Sequence, residues 1–364
     1  MSEDGFMTVH GTPARAGGDD LLERLRRVAF LAAYRMLGSV AEAEDVAQDC
    51  LLRIAPDGTL ADDVRNPEAF TTTVATRIAL DVLRSARVRR ETYVGEWLPE
   101  PLVGDVVASA SAPADAAEHA ELADDLSTAF LVLLETLTPS ERAAFLLHDV
   151  LGYPHRQAAE VIGTTELAAR QLASRARRRV AERRGSHVGD GPVPAPPRDP
   201  RAQELVDRFI AATAEGDLES LLELLADDVE LVGDGGGKVP PGMSVSRAVS
   251  GSVAVARLLL GFTRRGAPAR MEAALVNGAP GVLVHADASV GGGVLGAYAI
   301  DIAGGQIVAV RGVINPEKLG HLGPLADLTA VAAALKAASP RRRGGQDHDR
   351  QDHDRQGRGP VAEP

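Results

Sequence analysis

Residues 137–180 read LTPSERAAFLLHDVLGYPHRQAAEVIGTTELAARQLASRARRRV, and the punctuation of this stretch decides the architecture of the helical part of the chain. Thr138-Pro139-Ser140-Glu141 has the form of a capping box, in which a hydroxyl and a carboxylate three residues apart each accept an otherwise unpaired amide. Proline at the first helical position costs nothing there, because its missing amide would have had no partner. The helix that follows buries Ala144, Leu147 and Leu151 and stops at Gly152. Pro154 opens a short helix, HRQAAEVI, that closes at Gly163; Thr165 and Glu166 then open a longer one through Leu167, Leu172, Ala176 and Val180. Two helices joined by a tight glycine turn, the second strongly basic, spell helix-turn-helix. Arg170, Arg175, Arg177, Arg178, Arg179 and Arg183 give that second helix a field that attracts phosphate, although the whole chain carries a formal charge of -12.

Upstream, residues 19–53 have helical periodicity in Leu21, Leu25, Val28 and Ala32, interrupted at Gly38. Ser39 and Glu42 form a second capping box, so a new helix runs to Arg53. After a loop over residues 55–65, Asn66 caps a third helix with Pro67 at its first position. Phe70, Val74, Ile78 and Val82 are expected on its buried face, with Thr72, Thr73, Thr76, Arg77 and Arg84 on the others. YVGEWLPEPL (93–102) contains the only tryptophan and leads into an Ala/Ser/Pro/Gly-rich linker.

Downstream, the proline-rich residues 189–200 mark a change of class. Two helical stretches, ELVDRFIAATAEG and DLESLLELLADD, lead into a strand, VELVG. A helix over 252–264 follows, then four strand-like runs, with Asn277-Gly278 and Gly304-Gly305 where hairpin turns demand positive φ. From residue 338 the chain is almost without apolar residues, carries a tandem QDHDR repeat and reads as a disordered tail.

A length of 364 residues allows two or three cores at roughly 150 residues each. No stretch approaches the roughly 20 apolar residues of a membrane span, and the acidic, glycine-containing N-terminus is unlike a signal peptide, so a cytoplasmic location is expected. Cys50, the single cysteine, lies in an apolar helical pattern and is expected to be a core thiol. His348 and His353, separated by acids in the tail repeat, make weak metal ligands; no metal, cofactor or catalytic residue is expected.

Taken together, AYRMLGSVAEAEDVAQDCLLRI, NPEAFTTTVATRIALDVLRS and the 137–180 block resemble regions two and four of the extracytoplasmic-function (ECF) sigma factors. WLPEPL, DGGGK (234–238) and NPEKL (315–319) resemble marks of the ECF group with a SnoaL-like C-terminal extension. The resemblance implies a multidomain fold: two all-α sigma domains at 19–91 and 118–185, linkers at 92–117 and 186–200, and an α+β SnoaL-like cone at 201–330. It also implies the partners: core RNA polymerase, through the clamp of its largest subunit and the flap of its second, and promoter DNA. No membrane partner is expected.

Residue by residue, the resemblance places polymerase docking on Glu44, Asp45, Gln48 and Asp49, and base capture on the 55–65 loop and the helix after Asn66. Melted-strand contacts then fall on Thr73, Arg77 and Arg84; threonines at 71–73 stand where relatives often have an aromatic, leaving Phe70 nearby. Because the N-terminal half of a recognition helix enters the major groove, Thr165, Glu166, Arg170, Gln171, Ser174 and Arg175 are the expected base-reading positions, with Arg178 and Arg179 on phosphate. Trp97, Leu98, Pro99, Asp234, Lys238, Asn315 and Pro316 are the expected interdomain regulatory set, through which the cone acts in cis.

Two alternatives have distinct signatures. If the cone binds or converts a small ligand, His285 and Asp287, alternating with Val284 and Ala286, should face a deep apolar pocket as an acid–base pair. If the chain is a stand-alone helix-turn-helix regulator, the helices before Arg90 have no task. DGGGK lacks the hydroxyl residue and glycine spacing of a phosphate loop and reads instead as a turn presenting Asp234 and Lys238 to another domain.

Overall fold

The computed structural model describes residues 14–61, 63–91, 93–104, 125–187 and 199–338. The expected helix from about Glu118, the proline-rich spacer and the tail histidines fall largely or wholly outside the described residues.

Helices α1 (Ala14–Leu37) and α2 (Val40–Ile54) are joined by Gly38, at φ +64°, and α3 (Pro67–Glu91) packs on both. Asn66 caps α3, its Oδ1 accepting from the Ala69 amide at 3.0 Å. The expected single apolar stripe on α3 is corrected: Ile78 is buried, but Phe70 is 41% exposed, and Thr71, Thr72 and Thr76 are buried instead. The reason is that α3 is covered twice, by α1 and α2 on one side and by the second helical unit on another, so its buried arc is wider than one stripe. The threonines satisfy their hydroxyls on the preceding turn, Thr71 to the Pro67 carbonyl (2.7 Å) and Thr72 to that of Glu68 (2.9 Å), leaving methyls for the core.

The second unit comprises α4 (Thr128–Leu134), α5 (Pro139–Phe145), a π-helical turn over Leu146–Val150, α6 (His155–Ile162) and α7 (Glu166–His187). Both halves of the Thr138–Glu141 box form, and Gly163 takes φ +78° between α6 and α7. One continuous apolar core, from Leu25 to Val180, runs through both helical units. Buried Arg142 stitches them together: Nε donates to the Leu134 carbonyl (3.0 Å) and Nη1 to that of Met36 (2.8 Å). Cys50 is fully buried, and burial pushes its thiol up to about 11, as a core thiol requires.

The C-terminal domain is α8 (Pro200–Glu215), α9 (Leu218–Leu224), β1 (Leu225–Asp234), β2 (Val249–Ser250), α10 (Ser252–Arg264), β3 (Ala269–Val276), β4 (Ala279–Ala286), β5 (Val294–Ala303), β6 (Gln306–Val313) and α11 (Leu328–Ala338). Its sheet runs β2-β1-β6-β5-β4-β3, antiparallel except for the β1–β6 pair, with α8 against β3 and β4 and α10 against β1. The expected second helix is shorter than DLESLLELLADD: Leu225 already pairs with Ile307, so the sheet claims residues whose local pattern is helical. Among the described residues no helix is long and apolar enough to cross a membrane.

Candidate nucleic-acid interface and interdomain clamp

On α7, Ala169, Ala173, Ala176 and Val180 recur at three- and four-residue steps and are buried, which leaves the opposite face to solvent. Thr165 caps the helix through its hydroxyl to the Ala168 amide (3.2 Å), and Glu166, Arg170, Gln171, Ser174, Arg175 and Arg178 are all exposed. Arg170 pairs with Glu166 (3.2 Å) and Arg178 with Glu182 (3.8 Å), both in solvent, where such pairs are weak and readily exchanged for phosphate. Arg175 (3.2 Å) and Arg179 (2.5 Å) instead hold the buried Glu141 carboxylate. Burial disfavours the Glu141 anion, but hydrogen bonds from Thr138 and the two guanidiniums outweigh it and hold its carboxyl below the usual carboxylate range. Leu167, which the sequence placed within the helix pattern, is 66% exposed beside the expected base-reading residues.

On α2, burial of Ala43, Val46, Ala47 and Cys50 leaves Glu44, Asp45, Gln48 and Asp49 exposed on the outer face. Leu52, 60% exposed, continues that face. The 55–65 loop borders an open cleft of about 1000 Å³ whose lining includes Arg53, Leu60, Arg65, Asn66 and Phe70. The expected strand-holding residues lie differently. The Thr73 hydroxyl bonds the Ala69 carbonyl (2.9 Å), Tyr153 reaches that same carbonyl (3.2 Å), and Arg77 donates to the Glu160 carbonyl of α6 (3.0 Å). The helix-turn-helix unit therefore sits on this part of α3, while Arg84 remains exposed with Asp81 at 3.2 Å.

The segment 93–104 touches every part of the molecule. Asp234, at the end of β1 and fully buried, accepts from the Tyr93 hydroxyl (2.5 Å), the Leu98 amide (2.8 Å) and Lys318 Nζ (2.7 Å). Lys318 also donates to the Leu98 carbonyl (2.5 Å) and lies over the Tyr93 and Trp97 rings, at 4.8 and 4.3 Å from their centroids. Burial, and then the Asp234 carboxylate, push the Tyr93 phenol up, so it stays a donor. Asn315 caps the Pro316–Lys318 turn through the Glu317 amide (3.1 Å) and gives its Nδ2 to Tyr93 (2.9 Å). Gly236 and Gly237 let these groups close in: a Cβ on Gly236 would lie 2.2 Å from Asn315, and one on Gly237 3.1 Å from Val94. Lys238 was expected to face another domain; it pairs with Glu317 of its own domain at 3.0 Å, both half-exposed or more.

Farther along, Glu100 turns back to α2. Its carboxylate accepts from Ser39 Oγ (2.8 Å) and the Val40 and Ala41 amides (2.7 and 3.3 Å), and so caps the helix that presents the acidic face. Trp97 and Pro99 pack on Gly38, where a Cβ would meet the indole at 2.7 Å. At the other end of the sheet, the β3–β4 hairpin inserts Asn277 (φ 54°, 1% exposed) between all three parts. Its Oδ1 accepts from the Leu102 amide (3.2 Å), and its Nδ2 donates to the Tyr34 hydroxyl of α1 (2.6 Å) and to the Leu126 carbonyl (3.0 Å).

The acid–base pair that the ligand-converting alternative would require does not assemble. His285 faces Glu272 at 3.8 Å, Asp287 lies beyond the end of β4, and neither lines the cavity that the cone does contain.

Residues 21–89 match the Sigma-70 region 2 family and residues 127–180 the Sigma-70 region 4 family. The ECF RNA polymerase sigma factor SigJ of Mycobacterium tuberculosis is 42% identical over 303 residues, which cover 81% of this chain and 91% of that protein. The chain belongs to the ECF sigma factors. Probable ECF sigma factor SigI of the same species is 32% identical over 80% of this chain and 90% of its own length. The crystal structure of SigJ superposes with a TM-score of 0.61 at 37% identity, covering 82% of this chain and 96% of that one.

As an ECF sigma factor the protein binds core RNA polymerase and directs promoter-specific initiation, and its helical sigma domains are followed by a SnoaL-like domain. Of the interdomain residues expected from sequence, Leu98 and Asn315 both meet Asp234, the Leu98 amide donating to its carboxylate and the Asn315 amide to its carbonyl (3.0 Å). Tyr93, Glu100, Asn277 and Lys318 complete the sigma factor's clamp and were missed. Lys318 had a usable signal, a lysine three residues past the Asn315 cap within NPEKL; the others had none beyond their neighbours.

Proposed function

We propose that the closed packing of the two sigma domains is a resting state, and that the SnoaL-like domain holds it in cis by gripping residues 93–102. The observation that carries this is the buried Asp234 carboxylate, which collects Tyr93, Leu98 and Lys318 from both sides of the interface. In this state Tyr153 packs beside half-buried Thr73 and the exposed Arg77 guanidinium is held by the Glu160 carbonyl of α6, so a melted strand takes up both only after the helix-turn-helix unit moves away. Promoter engagement then uses Thr165, Glu166, Arg170, Gln171, Ser174 and Arg175 for bases and Arg178 and Arg179 for phosphate, with the 55–65 cleft taking an unstacked base against Phe70. Glu44, Asp45, Gln48, Asp49 and Leu52 dock on the clamp of the largest polymerase subunit, and the second helical unit on the flap of the second. The protein works in the cytosol, without catalysis of its own. The domain divisions 19–91, 118–185 and 201–330 follow these roles.

Transcription in vitro with core polymerase tests the grip. Lys318→Met leaves Asp234 buried without its cation, a loss of about 3–5 kcal/mol for a broken buried pair. Promoter-specific transcript from the full-length variant should rise several-fold over wild type. Equal output from the two proteins would mean that the contact does not restrain the sigma domains.

A further inference from the structure

The C-terminal domain encloses a cavity of about 540 Å³ between its sheet and helices α8, α10 and α11. That volume is in the range of small-molecule sites, and a domain needed only for rigidity would fill it with side chains. Phe209, Leu231, Met271, Val282 and Val310 are typical of its walls. The hydroxyls of Thr213 and Thr263 are already committed, to the Phe209 carbonyl (2.7 Å) and the Thr213 carbonyl (2.9 Å).

Tyr298 is different. It lines the cavity from β5, and its hydroxyl has no hydrogen-bond partner among the described residues. The ring is seated by two glycines: a Cβ on Gly312 would lie 2.3 Å from it, and one on Gly296 3.1 Å. Burial pushes its phenol up to about 12, so the group facing the cavity is a neutral donor. Carboxylates and imidazoles are absent from the lining, and Arg270, the one charged residue in it, is 61% exposed at the side chain and paired with Glu272 at 3.1 Å.

We infer that this cavity is a receptor site for an uncharged, largely apolar small molecule bearing one carbonyl or ether oxygen, which accepts a hydrogen bond from Tyr298. The ligand is bound and not converted, since nothing in the lining acts as acid or base at neutral pH apart from that donor. The site is also well placed to be felt elsewhere. Leu231, Val232 and Gly233 lead directly into Asp234, and Gly312 and Ile314 into Asn315, so an occupant presses on the two strand ends that grip residues 93–102.

The test is independent of transcription. The full-length protein is titrated with the ketone-bearing naphthalene dye 6-propionyl-2-(dimethylamino)naphthalene while its emission is followed. One saturable, blue-shifted site per chain is expected. Tyr298→Phe should weaken it about fivefold, the worth of one net hydrogen bond, and shift the bound emission further to the blue as the ketone loses its donor. Val284→Trp, which fills the cavity, should abolish saturation while thermal unfolding shows a folded protein. If that variant does not fold, Tyr298→Phe decides alone through affinity and emission. Absence of saturable binding, or binding with unchanged affinity and emission in Tyr298→Phe, overturns the inference.

Discussion

Replacing Asn277 by glycine removes a side chain without disturbing the turn that carries it, because φ 54° suits glycine at least as well as asparagine. The backbone bond from the Asn277 amide to the Leu102 carbonyl (2.7 Å) and that from Gly104 to the Leu275 carbonyl (2.9 Å) can persist. What goes are the side-chain bonds to Leu102, Tyr34 and Leu126, all buried. At about 1 kcal/mol net for each, the linker's seat loses about 3 kcal/mol, less whatever a water entering the vacated space restores. That corresponds to roughly a hundredfold more frequent detachment. Hydrogen exchange followed by mass spectrometry reads it directly, because the Leu98 amide is protected by Asp234, a residue the substitution leaves alone. Exchange of the peptide containing Leu98 and Glu100 should accelerate by up to that factor, while the amides in the middle of α2 keep their protection. Unchanged exchange at Leu98 would refute the idea that Asn277 and Asp234 hold one cooperative seat.

Acid should release α7 from α5. Since the folded Glu141 carboxyl lies below its ordinary value, the stabilisation is complete above the ordinary glutamate range and is lost as pH falls through the lowered value. Glu141→Gln should therefore lower stability by about 2 kcal/mol at neutral pH, after allowing for its half-exposed arginine partners, and flatten the acid limb of a thermal-unfolding series. Leu52→Glu should leave stability within about 0.5 kcal/mol, as its side chain is in solvent, yet weaken association with core polymerase by about tenfold or more in a binding titration; unchanged affinity would remove Leu52 from the docking face.

How far the sequence could be read depended on the range of the physics involved. The helix-turn-helix boundaries were legible because Thr138, Glu141, Pro154 and Gly163 act on their own turns, and the structure ends each helix within a residue or so of those signals. The hairpin glycines were legible for the same reason. Thr72 and Thr76 were misplaced because their burial is imposed by a second layer that a single-helix periodicity does not contain. Glu100 looked like one acid between two prolines, whereas its acceptors are used by Ser39, 61 positions earlier. Asn277 was recognised for its turn alone. Its side chain has a second task 243 positions away, at Tyr34. The acid–base pair failed for a geometric reason: Val282 and Val284 take the inward positions of β4, so the strand's alternation turns His285 away from the cavity.

The placement of Asn277 at a hairpin tip bears on how such domains are exchanged between proteins. A SnoaL-like domain transplanted onto another sigma factor would fold through its own core, since its apolar cluster is separate from that of the helices. It would nevertheless be a mute passenger unless its new host supplied a tyrosine at the position of Tyr34 and a linker with the spacing of Tyr93, Leu98 and Leu102. Inheritance of this regulator therefore requires a matched set of residues scattered over the whole polypeptide, and recombination within the 186–200 linker read from the sequence would split that set.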